Sequence, residues 1–179
     1  SEMCIRDRVE TPLVLVCTHA KRDTCCAVKG RPLAAELVED YPDMVWETSH
    51  TKGHRFAPSV MLMPWGYSFG RMNKEAAAQM IAAAARGKYF YPVNRGRGIF
   101  GPRGQVAELA VARALIDAGE ELSYGQLTAT DSGEVSHIDG RRWRVTLEER
   151  EVEGVVSSCG DAPKTGQAIV ATGVEPVSY

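Results

Sequence analysis

The chain has 179 residues, 44% of them hydrophobic and 25% charged, and its 21 Lys and Arg against 23 Asp and Glu leave a net charge of −2. This is the composition of an ordinary globular protein and excludes a disordered, collagenous or coiled-coil chain. The lack of a basic excess argues against nucleic-acid binding. No apolar run approaches the ~18 residues of a membrane helix; the longest, Ala76 to Ala85, is interrupted by Gln79. A chain of this size buries roughly 70% of its unfolded surface, so it needs neither disulfide nor metal merely to fold.

The opening Ser1-Glu2-Met3-Cys4-Ile5-Arg6-Asp7-Arg8 has no signal-peptide pattern. Met3 to Arg8 reads as the translation of a transposon-based sequencing adapter. Residues 1–8 are therefore expected to be an assembly scar outside the fold, with the native N-terminus missing. Four of the five cysteines then count: Cys17, Cys25, Cys26 and Cys159. Without a signal peptide the expected setting is cytoplasmic, where clustered thiols are more often ligands or redox centres than structural disulfides.

Leu13 to Val16 is an apolar, β-branched run and reads as a buried strand ending at Cys17. A polar turn from Thr18 to Cys26 follows, in which Arg22 and Asp23 are expected to form loop hydrogen bonds or an ion pair. Pro32 suits a first helical position, Leu33, Leu37 and Val38 fall at helical spacing, and Tyr41-Pro42 stops the helix. Val45 to Thr48 is a second strand. A polar stretch from Ser49 to Ala57 carries His50 and His54, and Val60 to Met63 and Tyr67 to Arg71 are two further strands. Asn73 can cap a helix from Lys74 to about Arg86, stopped by Gly87. The order is β-α-β-β-β-α.

Asn94 to Gly104 is rich in Gly and Arg and reads as a loop. Arg95, Arg97 and Arg103 are expected to be solvated there, with a docking patch for an acidic redox partner as the sharper alternative. Gln105 to Asp117 carries an apolar helical stripe. Leu127 to Thr130 reads as a strand. Val135 to Ile138 and Trp143 to Leu147 flank Asp139-Gly140, a type I′ hairpin signal. Trp143, Val145 and Leu147 alternate toward a core, and Gln167 to Gly173 is a last strand. His137 reads as structural. The expected organisation is a scar over 1–8, a core over 9–88, and a C-terminal helix-plus-hairpin extension over 89–179.

The chemistry concentrates in two loops at the ends of neighbouring strands. Cys17 and Cys26 are separated by eight residues and His50 and His54 by three, which makes a four-ligand set of two thiolates and two imidazoles. Zinc takes such a set tetrahedrally, and a [2Fe–2S] cluster also accepts two histidines among four ligands. Spacing alone does not choose. The eight-residue gap is wider than the usual zinc-finger pair and suits a ligand loop that wraps a broader object. A Rieske fold is not indicated, because a Cys-x-x-His box is absent.

The stretches VCTHAKRDTCCAVKGRPLAAEL and VWETSHTKGHRFAPSVMLMPWGYSFGRM closely resemble the sucrase/ferredoxin-like proteins. The resemblance is dense from Leu13 to Met72, thinner through Arg95-Gly96-Arg97, and returns at Trp143-Arg144-Val145 and Ser158-Cys159-Gly160. It implies a thioredoxin-like α/β core with a C-terminal α+β extension. It also implies a bis-histidinyl [2Fe–2S] cluster on Cys17, Cys26, His50 and His54, and one-electron transfer or redox sensing with a redox protein partner. Imidazole ligation raises such a potential, to about −150 to +300 mV in Rieske centres against about −400 mV in plant-type ferredoxins. Cys25 could replace Cys26 as ligand, but the family spacing favours Cys26; Cys25 is then a buried small hydrophobe or a thiol behind the ligands, His19 orients its loop, and Cys159 serves packing. Gly53 admits a close approach, and Ala57-Pro58 stands at the cis-proline position of thioredoxin-like folds. Two rival functions remain: a structural Cys₂His₂ zinc module on the same four ligands, and a thiol oxidoreductase working through adjacent Cys25 and Cys26.

Overall fold

A computed structural model describes residues 11–21 and 23–177, with only the backbone of His54. The expected scar over 1–8 and the loop contacts of Arg22 lie outside the described residues. The first layer is a five-stranded sheet. β1 (Leu13–Cys17) lies between β2 (Val45–Thr48) and β3 (Ser59–Met63), and β4 (Tyr67–Gly70) and β5 (Asn94–Arg97) complete the order β2-β1-β3-β4-β5. β1 runs parallel to β2, with Cys17 opposite Thr48, and antiparallel to β3, with Val16 opposite Val60. Val14, Val16, Val60 and Leu62 are fully buried on one face of these strands, while Leu13, Leu15, Met61 and Met63 on the other are half-buried.

α1 (Thr24–Asp40) links the parallel pair β1 and β2, and packs Leu33, Ala34 and Leu37 into the core. A fully buried leucine such as Leu37 contributes about 1.5–3 kcal/mol by leaving water. α1 starts eight residues earlier than Pro32 suggests. Asp23 is the N-cap, its Oδ1 accepting from Cys25 N–H at 2.9 Å. Pro32 sits inside the helix, which accommodates the missing N–H there. α2 (Lys74–Ala84) begins at the expected cap, Asn73 Oδ1 accepting from Ala76 N–H at 2.8 Å.

Asn94 to Gly104 is not a loop throughout. Its first four residues form β5 against β4, and α3 (Pro102–Asp117) already starts at Pro102. The first sheet thus runs beyond residue 88. α3 has no side-chain cap of its own, because its N-cap is Gly101. Asp131 supplies one from across the fold, accepting from Gly104 N–H at 2.7 Å.

The second sheet has the order β6-β7-β8-β9, from β6 (Leu127–Ala129), β7 (Glu134–His137), β8 (Arg142–Val155) and β9 (Lys164–Pro176). The expected hairpin lies between β7 and β8. Its turn is closed by Gly140 N–H on His137 O at 3.0 Å, and within it only Gly140 (φ +97°) has positive φ. Type I′ needs two such residues. Asp139 instead accepts from Arg141 N–H and Nε, which holds the turn in its observed form. His137 is structural, its Nδ1 2.9 Å from Asp139 Oδ1. One continuous core joins both sheets, from Val14 and Leu37 through Tyr67 and Val111 to Leu127, Trp143 and Val145.

Candidate functional site

The C-terminal ends of β1 and β2 lie side by side because the two strands are parallel. The loops that leave them therefore start at the same edge. Thr18 N–H donates to Thr48 O at 3.2 Å, which ties the first residues of the two loops together. Cys17 ends β1 and Cys26 sits in the first turn of α1. Both are buried free thiols, and with Ala57 they form a small apolar cluster separate from the main core. Gly30 lets α1 approach this closely, since a Cβ there would run into the Cys17 carbonyl oxygen. The peptide between Ala57 and Pro58 is cis, at the position expected for a thioredoxin-like fold.

The two thiols lie together in this cluster and interact electrostatically. Burial pushes Cys26 up to about 12, helped by the side chain and charge of Cys17 and by Asp23. Burial outweighs the helix N-terminus, which alone would favour a thiolate. Cys26 is therefore a protonated thiol at neutral pH and a poor nucleophile as it stands.

Of the four expected ligands, the described contacts join Cys17 and Cys26. His50 is half-buried in the loop just beyond Thr48, the strand partner of Cys17. His54 opens a 3-10 turn, His54–Phe56, that leads into Ala57. His19 is half-buried in the turn after β1. Gly53 (φ +71°) has the close approach expected of it, made by the guanidinium of Arg95.

Cys25 and Cys159 depart from expectation. They form a disulfide across 134 residues, so neither is a free packing thiol and the vicinal Cys25–Cys26 pair is not the bonded one. Asp23 joins this arrangement, its Oδ2 accepting from Cys159 N–H at 2.9 Å. Asp23, Cys25 and Cys159 also make a compact group of metal-ligating side-chain types, distinct from the expected ligand set. No signal within either loop could have paired residues so far apart.

The arginines separate into two kinds. Arg97 Nε donates to Trp65 O at 2.8 Å, and Arg103 Nε donates to Asp131 O at 3.1 Å, so both bind structure rather than forming an open patch. Arg55, Arg71 and Arg95 converge on the ring of Phe56, at 4.6, 5.7 and 4.2 Å. Cation–π attraction gathers them there, and among the described residues no carboxylate forms an ion pair with any of the three. Burial and the adjacent charge of Arg55 both lower the proton affinity of Arg95.

The family model for sucrase/ferredoxin-like proteins matches residues 4–96, just over half of the chain. The chain belongs to the sucrase/ferredoxin-like family. Its fold is mixed α/β, as expected, with a five-stranded sheet and its helices followed by a C-terminal part built on a four-stranded antiparallel sheet. Among solved structures it is similar to a thioredoxin-like [2Fe–2S] ferredoxin from Aquifex aeolicus, at 16% identity and a TM-score of 0.42, covering 50% of this chain and 94% of that one. Two cysteine-to-serine variants of that ferredoxin match at 17% identity with TM-scores of 0.37 and 0.35, each covering 42% of this chain and 88% of theirs. No curated protein matches the chain. No helix among the described residues is long and apolar enough to cross a membrane.

Proposed function

We propose that this member of the family is an iron–sulfur electron carrier or redox sensor, with a [2Fe–2S] cluster held by Cys17, Cys26, His50 and His54. The observation that supports it most is the pair of buried free thiols clustered at the meeting of β1 and α1, beside the loop that carries both histidines. The donor chemistry fits: two soft sulfurs in an apolar pocket, with two imidazoles to complete four ligands. When bound, the cluster supplies a one-electron couple whose imidazole ligands raise its potential above that of a four-thiolate centre.

The chain's own residues do the rest. Cys26 gives up its proton on loading, since only the thiolate is a ligand. Gly30 keeps α1 close enough for Cys26 to face Cys17, and Ala57 excludes water from the pair. The uncompensated Arg55, Arg71 and Arg95 offer a cationic face to an acidic redox protein partner, with the cytoplasm as the proposed setting.

Metal and sulfide analysis with a visible spectrum, on protein purified without air, tests the reading. About two irons and two labile sulfides per chain are expected, with a brown colour that bleaches on reduction. The same thiol pair also suits structural zinc. A colourless protein holding zinc and no sulfide, even after reconstitution, overturns the iron–sulfur reading. Histidine ligation further requires a potential that changes between about pH 6 and 9, and a flat potential refutes it.

A further inference from the structure

The eight residues 156–163 connect β8 to β9, and this connection is pinned to the first turn of α1. Two described ties hold it: the Cys25–Cys159 disulfide, and the hydrogen bond from Cys159 N–H to Asp23. The outer half of the β8–β9 hairpin is otherwise exposed, from Glu148 to Gly154. The disulfide is itself within reach. Cys159 is exposed and Cys25 half-buried, and both line an open cleft of about 230 Å³. Lys29 and Arg55 line the same cleft, so its rim carries positive charge where an incoming thiolate would pass.

We propose that Cys25–Cys159 is a second redox centre, a two-electron thiol–disulfide couple whose substrate is a protein dithiol of the thioredoxin type. It depends on neither the cluster nor its ligand set. In the reaction a thiolate of the dithiol forms a bond to Cys159 Sγ, and the Cys25–Cys159 bond breaks with its electron pair leaving on Cys25 Sγ. The second thiolate of the dithiol then displaces Cys159. Two electrons and two protons have moved from the dithiol, now a disulfide, to Cys25 and Cys159, now thiols.

The geometry assigns the two sulfurs different parts. Cys159 is the exposed one and is open to attack. Cys25 is the second residue of α1, where the positive end of the helix dipole favours a leaving thiolate, with Lys29 one turn further on. Asp23 opposes this, but its carboxylate oxygens already accept from the amides of Cys25 and Cys159. Reduction leaves the Asp23 bond as the one remaining described tie on the connection, and so frees residues 156–163 beside the candidate site.

The test uses the full chain, acid-quenched and alkylated, with and without a chelator, and peptide mapping of its thiols. The expected result is one linked peptide pair, Cys25 with Cys159. Dithiothreitol opens it while circular dichroism still shows folded protein. Hydrogen exchange over 156–163 should then rise about tenfold or more, and fall again on reoxidation. Cys159→Ser should show the fast exchange without reductant. A thioredoxin stripped of its resolving cysteine should be trapped on Cys159. Several results overturn the proposal: free thiols at both positions in the untreated protein, a bond that opens only on unfolding, unchanged exchange over 156–163, trapping on Cys25, or thiols protected from alkylation only until the chelator is added, which marks a metal site instead.

Discussion

Glu108 on α3 is fully buried in the core, and replacing it with Gln should change how stability depends on pH. Its Oε1 accepts a hydrogen bond from the Tyr67 hydroxyl, and Tyr67 in turn sits edge-on to Tyr89, with ring centres 5.3 Å apart. Burial pushes the carboxyl from its ordinary 4.5 up to about 7, while the Tyr67 bond, the Arg97 charge and the Arg97 backbone amide pull it part of the way back. The folded state therefore keeps a proton that the unfolded chain has lost between these two values. Stability contributed by this group is greatest at low pH and falls as pH rises through about 7, after which it levels. Integrated from pH 5 to 8, a shift of this size weakens the fold by roughly 2–3 kcal/mol. Glu108→Gln keeps the shape and cannot ionise. Urea unfolding of both proteins at pH 5, 6, 7 and 8 should show the variant gaining roughly 2–3 kcal/mol on the wild type across the series. A difference that stays constant with pH refutes the argument, because it means that Glu108 ionises alike in the folded and unfolded states.

Three other outcomes follow from particular contacts. Metal binding by the chain, followed with zinc or with a reconstituted cluster, should tighten about tenfold per pH unit from Cys26 alone between pH 6 and 9, since that thiol stays protonated until about 12 in the metal-free protein; Cys26→Ala should abolish it. Gly30→Ala should cost about 1–3 kcal/mol in chemical unfolding and lower metal content, because the added methyl pushes α1 off the Cys17 carbonyl. Asp131→Ala should cost about 1 kcal/mol by removing the remote cap of α3, and should leave metal content unchanged.

The parts of the fold that were readable in the sequence are those whose cause is local. The apolar runs at Leu13–Val16 and Val60–Met63 became central strands, and Asn73 capped its helix as a short polar side chain should. β5 was not readable. Asn94-Arg95-Gly96-Arg97 has no apolar alternation, and it is a strand only because β4 lends it hydrogen-bonding partners at the sheet edge. The start of α1 is not legible for a related reason. Its first two turns carry few large apolar residues, and the Asp23 cap was hidden in a polar run that reads as turn. The cap of α3 is supplied by Asp131, 27 residues from the amide it accepts, and no local pattern could reveal it.

The candidate site divides in the same way, and the division explains why two adjacent cysteines stand in different surroundings. The Cys-x₈-Cys and His-x₃-His spacings are visible in the sequence, while the choice between Cys25 and Cys26 depends on where the helix begins. Once Asp23 fixes the N-cap, consecutive residues of α1 point about 100° apart. Cys26 then turns inward, fully buried against Cys17 and Ala57, and Cys25 turns toward the β8–β9 connection and meets Cys159. The inward thiol is shielded from water and suits a ligand. The outward one borders an open cleft and suits exchange with another thiol. A helix starting one residue later would rotate both side chains and undo both assignments, so Asp23, which binds the amides of Cys25 and Cys159 together, is the residue that separates the two roles.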